Sequence, residues 1–224
     1  MYTTKEIARE FDIHENTIRY YEKKNFLSLV ERRKNGYRIF SKIHFNQISI
    51  IRLIYLDEWP GKRIRLSSDR ILNNLHDWDL VHLTYLTNEY INTIKSEIKN
   101  VGKALKFDSN INLESEDSEI LDYKKAANRI GVTKDTLRNW ERNGFFTSIR
   151  GERNTKHIDM NILRELERIY ALRMAGFSMS FIYKFQKSPD DLQQLEIHSA
   201  GDHLIDFLNT TLEKAKKIKE FLKK

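Results

Sequence analysis

Sliding the 224-residue chain along itself by 119 positions superimposes residues 2–40 on residues 121–159 without a gap. Lys5/Lys124, Ala8/Ala127, Thr17/Thr136, Arg19/Arg138, Glu22/Glu141, Phe26/Phe145, Asn35/Asn154 and Ile39/Ile158 are identical pairs in that register. Between them apolar stays apolar and basic stays basic: Ile13/Val132, Ile18/Leu137, Tyr21/Trp140, Lys23/Arg142, Leu27/Phe146 and Val30/Ile149. Repetition of both chemistry and phase requires one supersecondary unit built twice. With Gly 8 and Pro 2, a turn-rich all-β chain is a poor fit. The expected fold is mainly α, one unit built twice, with only short β-hairpins.

Each copy opens with two short helices. Thr3 and Glu6 have capping-box spacing, and Ile7, Ala8 and Phe11 form an apolar stripe. Asp12-Ile13-His14 has room only for a turn before the second helix, Asn16 to Glu22. In copy two Gly131 is placed to stop the first helix and Thr133 to cap the second. Two helices joined by so short a turn can lay the second in a DNA major groove. Extended segments follow, flanking Glu31-Arg32-Arg33-Lys34-Asn35-Gly36, and Asn35-Gly36 predicts a tight hairpin with positive φ at both residues. Cations at such a tip reach phosphates beside a groove-bound helix. Copy two reads Arg150-Gly151-Glu152-Arg153-Asn154-Thr155-Lys156-His157, without the Asn-Gly pair and with an added Glu, which predicts a looser wing.

Charge follows the repeat. The net of +7 comes from two basic blocks, residues 1–75 and 120–224, each with a net of +6. Between them 107–119 carries five acidic residues and no basic one, as a linker would. A polyanionic partner suits this balance. With Cys 0 there is no disulfide, thiolate nucleophile or Cys-based metal site. The seven histidines are dispersed, and no phosphate loop or nucleophile elbow occurs. Neither an enzyme nor a cofactor is expected. No apolar run is long enough for a membrane span and no secretory h-region opens the chain, so a cytoplasmic, nucleoid-associated protein is expected.

The run Thr17-Ile18-Arg19-Tyr20-Tyr21-Glu22, with Asn25-Phe26-Leu27 and Arg33-Lys34-Asn35-Gly36-Tyr37-Arg38-Ile39-Phe40, resembles the mercury-resistance regulator (MerR) family of winged helix-turn-helix transcription factors. Copy two is similar through Thr136-Leu137-Arg138-Asn139-Trp140-Glu141 and Ala175-Gly176-Phe177-Ser178. There Asn139 stands for the first aromatic and Thr155-Lys156-His157 for Gly-Tyr-Arg. The resemblance implies that Arg19 and Tyr20 face DNA, that Tyr21 seats the recognition helix on the core, and that Arg33, Tyr37 and Arg38 grip the backbone from the wing. Residues and resemblance together give a DNA-binding set of Thr17, Arg19, Tyr20, Arg32, Arg33, Lys34, Tyr37 and Arg38 in copy one. In copy two the set is Thr136, Arg138, Asn139, Arg150, Arg153 and Lys156. The resemblance further implies a distorted promoter spacer, RNA polymerase as a partner, and dimerisation through one antiparallel helix per subunit. Metal-sensing relatives use Cys ligands, which this chain lacks.

Two heptad-like seams supply such helices. Leu83, Leu86, Tyr90, Ile94, Ile98, Val101 and Leu105 step along 80–105, with Asn92, Lys95, Glu97, Lys99 and Asn100 between them. Ile205, Leu208, Leu212, Ala215, Ile218 and Leu222 form the second, from His203 to the end. The expected organisation is a first module at 1–79, a coiled-coil helix at 80–106, a linker at 107–119, a second module at 120–187 and a C-terminal segment at 188–224. Pairing helix 80–106 with helix 203–224 makes one chain mimic a dimer; a true homodimer is the competing assembly. A transcriptional regulator reading an imperfect palindrome in double-stranded DNA is the favoured function. An architectural or mobile-element DNA-binding protein, of the excisionase or chromosome-anchoring kind, and a protein-interaction scaffold are the alternatives.

Overall fold

The computed structural model describes residues 1–55, 61–105, 120–151, 155–188 and 191–223. The linker at 107–119, Trp59-Pro60 and Arg153 lie outside the described residues. The molecule is mainly helical, with short antiparallel strand pairs as its only β structure among the described residues.

In the first module α1 (Thr4–Glu10) starts at the expected capping box: the Thr3 side chain accepts from the Glu6 amide, and the Glu6 carboxylate accepts from the Thr3 amide at 2.7 Å. α2 (Glu15–Lys23) is capped by His14, whose Nδ1 accepts from the Asn16 amide. β1 (Glu31–Arg32) and β2 (Arg38–Ile39) make the wing, and an isolated bridge ties Tyr2 to Phe40. α3 (Lys42–Tyr55) and α4 (Lys62–Asn74) complete the module, followed by a 3-10 turn (Leu75–Asp77). Ile7, Ile18, Phe40, Ile48, Ile51 and Ile64 are fully buried at its centre. Gln47, equally buried, spends its amide on the Leu75 carbonyl (2.8 Å) and the Ser28 hydroxyl (2.7 Å), and accepts from the Ser28 amide. The polar residue is thereby satisfied, and the segment after α2 is stitched to the end of α4.

The second module repeats this plan. α6 (Tyr123–Ile130) is capped by Asp122 and stopped by Gly131 at φ 93°; α7 (Lys134–Arg142) is capped by Thr133. β3 (Leu121–Asp122), β5 (Lys156–Ile158) and β4 (Ile149–Arg150) form a three-stranded sheet in the order β3-β5-β4. α8 (Met160–Met174) and α9 (Met179–Lys187) follow, the latter capped by Ser178 just after Gly176 at φ 94°.

Comparison of the modules corrects the ungapped repeat. Wing rungs are Glu31↔Ile39 and Arg32↔Arg38 in one and Ile149↔His157 and Arg150↔Lys156 in the other. The offset is therefore 119 as far as Leu27/Phe146 and 118 from Val30/Ser148 onward. One residue of the Ser28-Leu29 stretch has no counterpart. Val30/Ile149 and Ile39/Ile158 are thus not structural equivalents, and Asn154 lies outside the described residues; Phe40/Ile158, both fully buried, are equivalent. The first hairpin also differs from the Asn-Gly expectation. The Gly36 amide donates to the Arg33 carbonyl and the Arg33 amide to Tyr37, with positive φ at Gly36 alone. That is a four-residue turn closed by a glycine bulge rather than a two-residue loop. The second wing keeps the first wing's two rungs; the tip residues 152–154, on which the looser or less adhesive wing is expected, lie outside the described residues.

α5 (Leu80–Leu105) has the bounds its seam predicts, whereas α10 (Asp191–Phe221) begins twelve residues before the expected His203. The buried positions also shift. Glu97 is buried and Ile98 only half-buried, and Leu204 replaces Ile205. The side chain of Leu105 lies outside those described. Buried Ile197, Gly201, Leu204, Leu208, Thr211, Ala215, Ile218 and Leu222 follow alternating steps of four and three along α10. Leu83, Thr87, Tyr90, Ile94, Glu97 and Val101 do the same along α5. Thr87 satisfies its hydroxyl on the Leu83 carbonyl at 2.7 Å. The chain divides into two compact units. The first contains the first module with α5 as far as Lys95 and α10 from Thr210; the second contains the second module with α5 from Ser96 and α10 as far as Asn209.

Candidate nucleic-acid interface

On the recognition helices, burial of Ile18 and Tyr21, and of Leu137 and Trp140, fixes which side faces out. At about 100° per residue the opposite side carries Asn16, Arg19, Tyr20 and Lys23 in α2 and Asp135, Arg138, Asn139 and Arg142 in α7. Arg19, Tyr20, Arg138 and Asn139 are all exposed, and Thr17 and Thr136 are half-buried at the edges of these faces. Each arginine is held against its own first turn. Arg19 donates to Asn16 Oδ1 at 3.2 Å and lies 3.5 Å from Glu15; Arg138 donates to Asp135 at 2.9 Å. Pairs this exposed are worth roughly 0–1 kcal/mol, so a DNA base displaces them at little cost.

The first wing exposes Arg32, Arg33, Lys34 and Tyr37 to solvent, Tyr37 at 71% exposure. Arg38 is different. Its Nε donates to Glu22 Oε2 at 2.6 Å, and Arg32 lies 3.5 Å from the other oxygen of the same carboxylate. The last turn of the recognition helix is therefore bonded to the wing. In the second module Lys156 occupies the Arg38 position and pairs with Glu141, whose Oε1 also accepts from the Ser148 hydroxyl at 2.5 Å. Burial works to raise the Glu141 pKa, but the bonds from Lys156 and Ser148, with the Tyr123 phenol close by, overcome it and bring the value down to about 2. Burial, helped by the adjacent Glu141 carboxylate, pushes the Tyr123 phenol up to about 12. Arg38 and Lys156 thus serve first as wing braces.

Between α7 and the second wing lies a concave surface of about 1010 Å³, lined by Lys124, Lys134, Arg138, Arg142, Arg150 and Lys156, with Glu141 and Tyr123 among its walls. Sequence reasoning had not marked Lys124, Lys134 or Arg142, nor the bracing pair Glu22 and Glu141. The identity of Glu22 and Glu141 across the repeat was the signal available for the latter. Lys134 stands where the first module has Glu15, and Asp135 where it has Asn16.

A recognition helix with a capped start and a wing bonded to its last turn, both built twice, define a winged helix-turn-helix DNA-binding protein. Residues 3–40 match the MerR family regulatory protein model, and residues 122–197 match that of the MerR HTH family regulatory protein. Together these matches cover just over half of the chain, which belongs to the MerR family and carries two tandem modules of it. It is a DNA-binding transcriptional regulator. No curated protein and no solved structure gives a match. Among the described residues no helix is long and apolar enough to cross a membrane.

Proposed function

We propose that one chain supplies both halves of a dimer-like regulator that reads an imperfect palindrome. The observation that carries this reading is the composition of the two compact units. Each joins a winged module to the near part of one long helix and the far part of the other. Such a division is what two long helices paired in opposite directions would give, and each helix carries a buried heptad seam. A homodimer in this family uses one such helix per subunit; here both helices belong to one polypeptide. On this reading 1–79 and 120–187 are the DNA-binding modules, 80–106 and 188–224 carry the pairing helices, and 107–119 connects the halves.

The DNA contacts follow from the faces described above. Arg19 and Arg138 fork onto guanine edges, each worth about 1–3 kcal/mol of discrimination. Arg33, Lys34, Tyr37 and Arg150 take phosphates and set the salt dependence, and Arg153 belongs with them from its place in the sequence. RNA polymerase at the same promoter is the partner that turns DNA distortion into control of transcription. Selection of bound duplexes from a random library at near-physiological salt tests the reading. An enriched two-part motif with half-sites one or two helical turns apart supports it. A single half-site removes the second module from the DNA. Retention that only falls with salt, without enrichment, replaces regulation by architectural binding.

A further inference from the structure

The two recognition helices differ most at the centre of their outward faces. In the first module Tyr20 is 47% exposed, and Lys24, one turn on, places its Nζ 5.6 Å from the Tyr20 ring centroid. A phenol hydroxyl and an ammonium held over its ring can both donate to phosphate oxygens, so this pair suits a backbone contact. In the second module the same two positions are Asn139 and Asn143, both exposed. Asn143 Nδ2 donates to Asn139 Oδ1 at 3.1 Å and to the Asn139 carbonyl at 2.7 Å. This fixes the orientation of the Asn139 amide. It leaves the Nδ2 protons and one Oδ1 lone pair side by side, which is the pattern that matches N7 and N6 of adenine in the major groove. Leu137 and Trp140, buried behind it, hold α7 so that this amide points away from the module.

We propose that Asn139, braced by Asn143, is a base-reading residue specific for adenine, and that its contrast with Tyr20–Lys24 gives the bound DNA sequence a direction. The first module then supplies affinity at this position, and the second supplies sequence selectivity. This rests on the reading that both modules engage DNA.

The test is duplex selection with the wild-type chain, Asn139→Ala, Asn139→Tyr/Asn143→Lys and Tyr20→Phe. All these side chains are exposed, so the fold is expected to persist, and matching thermal unfolding midpoints check that it does. The wild type is expected to show one position in one half-site where adenine is preferred roughly tenfold or more. Asn139→Ala is expected to erase that preference while leaving the rest of the half-site, and the double variant to make the two half-sites converge. Tyr20→Phe is expected to weaken all duplexes alike with the motif unchanged. An adenine preference that survives Asn139→Ala, two identical wild-type half-sites, or a motif altered by Tyr20→Phe would overturn the inference alone. A wild-type motif with one half-site overturns it together with the reading beneath it.

Discussion

Glu22 and Glu141 show how one carboxylate at the end of a recognition helix sets the geometry of a whole module. Each sits where a wing cation can reach it, so helix and wing are presented to DNA as one surface. Replacing Glu22 with Gln releases Arg38 and removes a negative charge from the interface. Non-specific binding is expected to tighten and the slope of log affinity against log salt to steepen by about one. Affinity for the selected site is expected to fall as the wing loses its anchor; fluorescence anisotropy over a salt series reads both. The titrating groups add a pH signature. His44 is buried, with Nδ1 accepting from the Ser41 amide at 2.8 Å and Nε2 donating to the Ser28 carbonyl at 3.2 Å, and burial lowers its pKa. The unfolded chain takes up that proton near 6.5 while the folded chain resists it. Its stability contribution is therefore whole above about 6.5 and shrinks as pH falls toward the folded value. Glu141, lowered from 4.5 to about 2, contributes stability present above 4.5 and lost between 4.5 and 2. Denaturant midpoints across pH 8 to 3 are expected to show the upper decline vanish in His44→Gln and the lower one shrink in Glu141→Gln, where the lowered carboxyls of Glu6 and Asp122 still contribute.

At the level of elements, capping chemistry and periodicity carried most of the information. Thr3, Thr133 and Gly131 act where their residue types place them, and α5 spans the predicted residues. Two features were not legible. The single-residue offset falls between secondary-structure elements, where no periodicity marks it, and the identity of Ile39 and Ile158, which are not on equivalent rungs, concealed it. The early start of α10 was hidden because Ser199, Gly201 and Asp202 interrupt the apolar pattern, although Ile197 and Gly201 both occupy buried seam positions. In the site, the outward residues of α2 and α7 followed from the buried ones. The bracing role of Glu22 and Glu141 did not, since it depends on a wing folding back over the helix. The seam of α10 is the element most exposed to a direct test. Leu208 is fully buried within it, so Leu208→Ala is expected to cost about 2–5 kcal/mol, measured by chemical denaturation.

For the molecule as a whole, the proposed pairing of α5 with α10 makes stoichiometry the decisive quantity. Light scattering at micromolar concentration is expected to give the mass of one chain, 26.8 kDa, both free and, after subtracting the duplex, on DNA. Twice that value would mean the seams are shared between chains. The connection between recognition helix and wing is one residue shorter in the second module than in the first. Yet Glu141 meets a cation, Lys156, on the same rung where Glu22 meets Arg38. The charge pair thus acts as a clasp on a strap of adjustable length: what fixes helix against wing is the pair itself, not the stretch of chain between its ends.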